Sequence, residues 1–151
     1  MKQATLCYVL DGSKVLLGMK KVRFGAGKYN GFGGKIENSE TPEVAAVREL
    51  KEEVGLIANN LKKSAEITFF FPHKPEWDQI VHIFVAKDWS GVPKESEEMK
   101  PDWFDVAKLP FASMWSTDVD WLPHVLAGKF VKGSVVFSPE LSALKKEFSL
   151  L

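Results

Sequence analysis

Apolar residues fall along the chain in short runs whose spacing predicts its elements. Residues 4 to 10 and 15 to 20 (VLLGMK) are two such runs. The turn residues of DGSK join them, so the pattern predicts a β-hairpin. Beyond a glycine-rich stretch, Val47, Leu50 and Val54 recur at helical spacing. Thr41 is placed to cap that helix, Pro42 takes the first position where a missing N–H is tolerated, and Gly55 is a stop. Residues 64 to 71 and 79 to 87 (QIVHIFVAK) predict two strands around a loop carrying Pro72 and Pro75, and Trp103-Phe104 begins another. A second helix is predicted near 118 to 127, ended by Gly128, with the strand-like FVKGSVVF after it. Helices interleaved with strands after an opening hairpin predict an α/β sandwich with a mixed rather than purely parallel sheet. No repeat, low-complexity segment or linker divides the chain, so residues 1–151 are expected to form a single domain.

The first helix carries an electrostatic oddity. Glu49, Glu52 and Glu53 in RELKEEVGL lie at i, i+3 and i+4, which places all three on one helix face, turned well away from the apolar stripe. Each like-charge pair costs roughly 0.2–0.5 kcal/mol in an isolated helix. Solvent or a cation must offset that repulsion.

Composition limits the alternatives. Hydrophobic residues at 45% and charged residues at 26% are values of an ordinary globular protein, which excludes disordered and collagen-like classes. Lys plus Arg equals Asp plus Glu at 20 each, so no global positive field gathers a nucleic-acid polymer. The single cysteine, Cys7, cannot form an internal disulfide, and no apolar run reaches membrane-span length. The opening MKQATLCYVLDGS does not resemble a secretory signal, because its apolar stretch stops at Asp11. A cytoplasmic monomer with neither a membrane nor a polymeric nucleic-acid partner is expected.

The glycine-rich loop RFGAGKYNGFGGK matches neither common phosphate motif. Tyr29 stands where a P-loop requires its first glycine, and Asn30 where the dinucleotide fingerprint requires its third. Loop and helix together give a different pattern: Gly34, five residues, Glu40, seven residues, then Arg48-Glu49-Leu50-x-Glu52-Glu53-x-Gly55-Leu56. This resembles the Nudix box, with every fixed position filled. A solvated acidic helix face accounts for three glutamates but not for the glycines, the arginine or their spacing.

The resemblance implies a Nudix α/β/α sandwich with a mixed central β-sheet, and a hydrolase that cleaves nucleoside diphosphates linked to another group. It implies Mg²⁺, with Mn²⁺ a possible substitute, held by Glu49, Glu52, Glu53, Glu98 and the backbone carbonyl of Gly33; hard cations of this kind take oxygen ligands and bridge phosphates. Arg48 would orient the site by pairing with an acid from the helix, Lys35 would meet a phosphate, and either Glu53 or Glu98 would act as general base.

Stretches beyond the box, GMKKVRFGAGKYNGFGGKIENSET, ESEEMKPDWF, LPFASMW and Trp121-Leu122-Pro123, are similar to the oxidised purine nucleoside triphosphate hydrolases, whose representative substrate is 8-oxo-dGTP. That likeness implies pyrophosphohydrolysis of oxidised purine (deoxy)nucleoside triphosphates, which sanitises the nucleotide pool and so serves DNA repair. Thr5, Lys20, Phe24, Asn30 and Phe32 would line the nucleotide pocket, and Phe69, Trp115, Asp118 and Trp121 would close it. Aromatic faces suit a purine, although core packing is the plain alternative for Phe69 and Trp115. Where relatives carry two adjacent aspartates, this chain keeps only Asp118, after Thr117. The loop FPHKPEWDQIVH is one residue longer than theirs, leaving the pocket wall between Trp77 and Gln79 unassigned. His73, His82 and His124 match no metal spacing and read as structural or surface residues. A Nudix hydrolase of another nucleotide and a non-catalytic Nudix-fold binding module are the competing functions.

Overall fold

A computed structural model describes residues 1–151. In chain order the elements are β1 (Lys2–Asp11), β2 (Lys14–Lys20), β3 (Tyr29–Asn30), α1 (Pro42–Val54), β4 (Ile57–Phe70), β5 (Gln79–Ser90), β6 (Met99–Asp105), α2 (Asp118–Leu126), β7 (Val131–Phe137) and β8 (Ala143–Leu150). They form one mixed sheet, with β1/β5 and β4/β7 parallel and the remaining pairs antiparallel. No helix is long and apolar enough to cross a membrane.

Alternation along the strands builds a core on each face of the sheet. Tyr8 and Leu10 of β1 and Val15 and Leu17 of β2 join the side chains of α2, Trp121, Leu122 and Val125. Their neighbours Cys7, Val9 and Leu16 point the other way, onto Leu50 and Val54 of α1. A period of two thus divides one hairpin between two cores, which is the α/β/α layering.

The first helix has the predicted ends. Thr41 Oγ1 accepts from Val44 N at 3.2 Å, and Gly55 closes the helix in the left-handed conformation at φ 75°. The hairpin, the 118–126 helix and the 131–137 strand also fall where the pattern puts them.

Four strands depart from it, the first being the two-residue β3, which lies inside the glycine-rich loop where no strand is predicted. β4 begins at Ile57 instead of residue 64, because its first half carries Asn59, Asn60, Lys62 and Lys63 and its register shifts three times before Ala65, which erases the period-two signal. β6 starts at Met99, ahead of Trp103-Phe104, and tolerates Pro101 because it pairs only with β2. β8 is absent from the pattern, since Lys145, Lys146 and Glu147 fill its centre; it is the last strand of the sheet, where charges blunt an unpaired edge.

The feature that makes a site is a split in the sheet. β1 and β2 pair only over Val9–Asp11 and Lys14–Leu16. Farther along, β2 pairs with β3 through Gly18 and Met19, while β1 takes bridges from Phe32 to Cys7 and from Lys35 to Ala4. Residues 29–35 are therefore wedged between the two strands of the hairpin.

This wedge corrects one expectation. Phe32 does not line a pocket: it is fully buried, exchanges two backbone hydrogen bonds with Cys7 at 2.6 and 2.9 Å, and packs in the core beneath α1. Phe32 is paired with Cys7, whose side chain lies on the α1 side of the sheet, and cross-strand partners share a face, so Phe32 joins that core. Phe32→Ala should accordingly destabilise the fold by about 3–5 kcal/mol, measured by urea unfolding, and a loss below about 1 kcal/mol would contradict the core assignment.

Candidate active site

The wedge ends in Gly33-Gly34, and the room available there explains the pair. A Cβ on Gly33 would lie 1.7 Å from the Thr5 carbonyl oxygen, and one on Gly34 would lie 2.7 Å from Glu49 Oε1. Any side chain at Gly33 would push the loop off β1. The glycines let the backbone pass between β1 and α1, and the Gly33 N–H donates to Glu53 Oε1 at 3.0 Å.

The three helix acids sit in unlike surroundings, which helical periodicity does not reveal. Glu53 is buried at 7% exposure, whereas the Glu52 side chain is 59% exposed and that of Glu49 17%. Burial, then the charge of Glu49, push the Glu53 carboxyl up to about 8, with Glu98 adding to the effect and the Gly33 N–H opposing it. Glu53 Oε2 is buried with no hydrogen-bond partner.

Arg48 ties the cluster together, but its main partner is not on the helix. Its Nε and Nη2 donate to the two oxygens of Glu40 at 2.7 and 2.9 Å, a bidentate pair with the loop ahead of α1. Contacts from Nη1 to Glu49 at 3.0 Å and Glu52 at 3.3 Å are secondary, and Nη2 also donates to the Lys35 carbonyl. The guanidinium holds the Glu40 carboxyl below its usual range. Glu98 is half exposed and accepts from Arg23 at 2.8 Å.

These residues fit a divalent cation by the chemistry of their donors. No three His, Cys, Asp or Glu groups converge tightly enough to form a metal cluster in this arrangement. Glu49 and Glu52 are turned toward Arg48, and only Glu53 presents a buried oxygen without a donor. That orphaned oxygen, in a carboxyl whose anion is disfavoured by its neighbours, is what a cation would relieve.

Beside the cluster lies a cavity of about 240 Å³ lined by Thr5, Lys20, Phe24, Asn30, Phe69, Trp115, Asp118 and Trp121, with Gly33 and Gly34 at the end nearest the acids. Eight of the ten expected substrate residues therefore meet in one place. Besides Phe32, the exception is Lys35, whose exposed side chain stands outside the cavity.

The floor of the cavity is polar and unsatisfied. Thr5 Oγ1, Asp118 Oδ2 and Trp121 Nε1 are buried without partners. Asn30 Oδ1 accepts from Gly31 N at 2.8 Å and from Tyr8 Oη at 3.1 Å. With its oxygen so engaged, Asn30 has its Nδ2 amide hydrogens free to donate. Burial pushes the Asp118 carboxyl up to about 7, against a backbone hydrogen bond at Trp115 and the charge of Lys28. Thr117 is also buried, but it does not line the cavity.

Several lining residues escape sequence reasoning. Phe71 follows Phe69 at the strand period, so the local pattern could have revealed it. Phe137 stacks on Phe69 at 5.9 Å from the neighbouring strand β7, Lys28 Nζ lies 5.4 Å from the Trp115 ring, and Gln79 and Met99 also reach the cavity. No local signal marks Phe137, Lys28 or Met99, since only the fold brings them together, whereas Gln79 ends the 77–79 stretch where the sequence left a pocket wall unassigned. The expectation for the histidines agrees with His82, which is buried and bonds Gln3 Oε1 at 2.8 Å.

Comparison with known proteins places this geometry. The family model described as the NUDIX domain matches residues 1–125. The chain is 49% identical over 136 residues to the oxidized purine nucleoside triphosphate hydrolase of Danio rerio, covering 90% of this chain and 86% of that protein. Its identity to the Mus musculus protein of the same description is 48% over the same shares. A solved structure of a mutator MutT protein from Bacillus halodurans superposes with a TM-score of 0.87 at 25% identity, covering 99% of this chain and 98% of that one.

Asp118 yields a pH test independent of activity. The unfolded chain releases this proton near 3.8 and the folded chain near 7, so folding takes up a proton between those values and stability falls as pH rises from about 4 to about 7. Asp118→Asn removes the buried charge. Its melting temperature should match that of the unmodified protein near pH 4 and exceed it above pH 7, by at most about 4 kcal/mol of stability. An advantage independent of pH would show that Asp118 does not titrate in this range.

Proposed function

The chain belongs to the Nudix hydrolase family, and we propose that it converts oxidised purine (deoxy)nucleoside triphosphates such as 8-oxo-dGTP to the monophosphate and pyrophosphate, thereby sanitising the nucleotide pool. The observation that carries this reading is contiguity: Gly33-Gly34 lines the aromatic cavity on one side and abuts Glu53 and Glu49 on the other. A base held in the cavity has its phosphates directed at the acids.

Each group then has a task. Phe24 and Trp115 offer faces for a purine, whose stacking is worth about 1–3 kcal/mol per base. Oxidation at C8 turns N7 of guanine from an acceptor into an N–H donor, and Asp118 Oδ2 is a buried acceptor without a partner. Asn30 donates to a carbonyl of the base, and Lys20, which lines the cavity, and Lys35 outside it would counter the charge of the triphosphate. Arg48 keeps the helix acids oriented. Glu53 or Glu98 takes a proton from the attacking water as its oxygen bonds to phosphorus, the anhydride between the α- and β-phosphoryl groups breaks, and pyrophosphate carries off the electron pair. A divalent cation, Mg²⁺ with Mn²⁺ as substitute, would be held by Glu49, Glu52, Glu53, Glu98 and the Gly33 carbonyl and would offset the negative charge that develops at phosphorus. We further read residues 1–151 as one domain acting as a cytoplasmic monomer on free nucleotides. Equal numbers of acidic and basic residues support the absence of a polymeric nucleic-acid partner.

The test is a panel of oxidised and ordinary nucleotides incubated with Mg²⁺, with pyrophosphate release as the readout. Turnover should appear with 8-oxo-dGTP and vanish in excess EDTA. Release confined to ordinary nucleotides would favour another Nudix substrate, and no release at all would favour a binding module.

Glu53→Gln should abolish turnover yet raise the metal-free melting temperature above pH 8, because it removes a buried charge that its neighbours repel. Near-normal metal-dependent turnover would remove Glu53 from the site. Asp118→Ala should lower kcat/KM for 8-oxo-dGTP by about 10- to 100-fold, the range set by losing one charge-assisted hydrogen bond, while metal dependence survives. An unchanged rate on 8-oxo-dGTP would sink the base-pocket assignment.

A further inference from the structure

The loop between β4 and β5 carries Trp77, which does not line the cavity but completes a closed circuit of aromatic contacts with four residues that do. Centroid separations run 5.1 Å from Trp77 to Phe24, 5.3 Å from Phe24 to Trp115, 6.3 Å from Trp115 to Phe137, 5.4 Å from Phe137 to Phe71 and 5.7 Å from Phe71 back to Trp77. Five aromatic side chains from four separate parts of the chain close a hoop. Four of them face the cavity, and Trp77 is the member behind the hoop.

We propose that Trp77 is a positioning residue, which braces Phe24 so that the hoop stays closed around a bound purine; this rests on the cavity being the base pocket. Two loops meet at Trp77 and Phe24. The Trp77 loop is pinned from within: Lys74 N donates to Phe71 O at 2.8 Å, Trp77 N to Lys74 O at 2.9 Å, and Phe71 N to Asp78 Oδ1 at 2.6 Å. Asp78 is thereby engaged in the turn, which leaves Gln79 to reach the cavity and Trp77 to back Phe24. Lys74 Nζ also sits over the Trp77 ring, 4.3 Å from its centroid.

The segment that carries Phe24 is also pinned from within: Ala26 N donates to Arg23 O at 3.1 Å, Gly27 N to Lys20 O at 2.8 Å and Lys28 N to Gly25 O at 3.1 Å. It takes three positive φ values in five residues, at Arg23, Gly25 and Gly27, and Phe24 is 48% exposed. No backbone hydrogen bond joins it to residues 72–78. The aromatic contact is the tie between two loops that are each braced only from within. Without the indole, Phe24 has Trp115 on one side and solvent on the other.

A contact that holds the base far from the reacting phosphorus acts equally on the ground state and the transition state, so its loss appears in KM and not in kcat. The experiment compares Trp77→Ala and Trp77→Phe with the unmodified chain in Mg²⁺. Initial rates on 8-oxo-dGTP are measured alongside amide hydrogen exchange without nucleotide. Trp77→Ala should raise KM by about 3- to 10-fold, the change that loss of one aromatic pair implies, while kcat stays within about twofold. Exchange across residues 21–28 should quicken by a comparable factor with the β-strands unaffected. Trp77→Phe, which keeps a ring, should restore both. Should Trp77→Ala not fold, Trp77→Leu keeps the apolar bulk without the ring and carries the same comparison.

A KM at the unmodified value, a loss confined to kcat, or unchanged exchange across residues 21–28 would each overturn the proposal. Failure of the unmodified protein itself to hydrolyse 8-oxo-dGTP would instead count against the base-pocket reading, and exchange would still report whether Trp77 braces the loop.

Discussion

The passage of Gly33-Gly34 between β1 and α1 is the constraint on which the rest depends. Backbone approaches backbone there so closely that a Cβ on Gly33 would stand 1.7 Å from the Thr5 carbonyl oxygen. Because the loop passes so near, its N–H reaches Glu53 across a span of sequence that no local structure could bridge. The same passage opens the hairpin, admits Phe32 to the core beneath α1, and leaves Asn30 on the cavity side with its oxygen engaged. Base pocket and acid cluster share a wall because a single strip of backbone forms it.

Arg48 answers the electrostatic question posed by the three helix glutamates. One guanidinium reaches Glu40, Glu49 and Glu52, so much of the repulsion on the helix is offset by a cation of the chain itself. Its bidentate partner Glu40 lies in the loop, which lashes that loop to the helix and fixes the direction of the acids. Glu53 is left out of this compensation. It is buried, it has one hydrogen bond from Gly33, and its second oxygen has none.

Glu53 and Asp118 share a physical signature. Each is a buried carboxyl with an unpartnered oxygen, and burial is the largest cause of its raised pKa. Such groups destabilise a fold and persist at sites where a ligand supplies the missing partner. One faces the acid cluster and the other the aromatic cavity, as a ligand with a polyanionic end and a flat polar end requires.

The sequence by itself determined the local elements and the identity of the chemistry. Caps at Thr41 and Gly55, the apolar stripe of α1 and the hairpin turn are read within a few residues, because propensity and periodicity are local properties. The box from Gly34 to Leu56 was legible for the same reason, as was the acid at Asp118. Strands β4 and β8 were less so, since bulges and edge charges erase alternation. Tertiary structure alone decided how three glutamates of equal appearance divide into one buried, one partly shielded and one exposed. It also gave Phe32 to the core and Arg48 to Glu40, and it gathered Lys28, Met99 and Phe137 around the cavity. Burial and pairing depend on which distant strands a residue meets, and that distance in sequence leaves no trace in a window of neighbours.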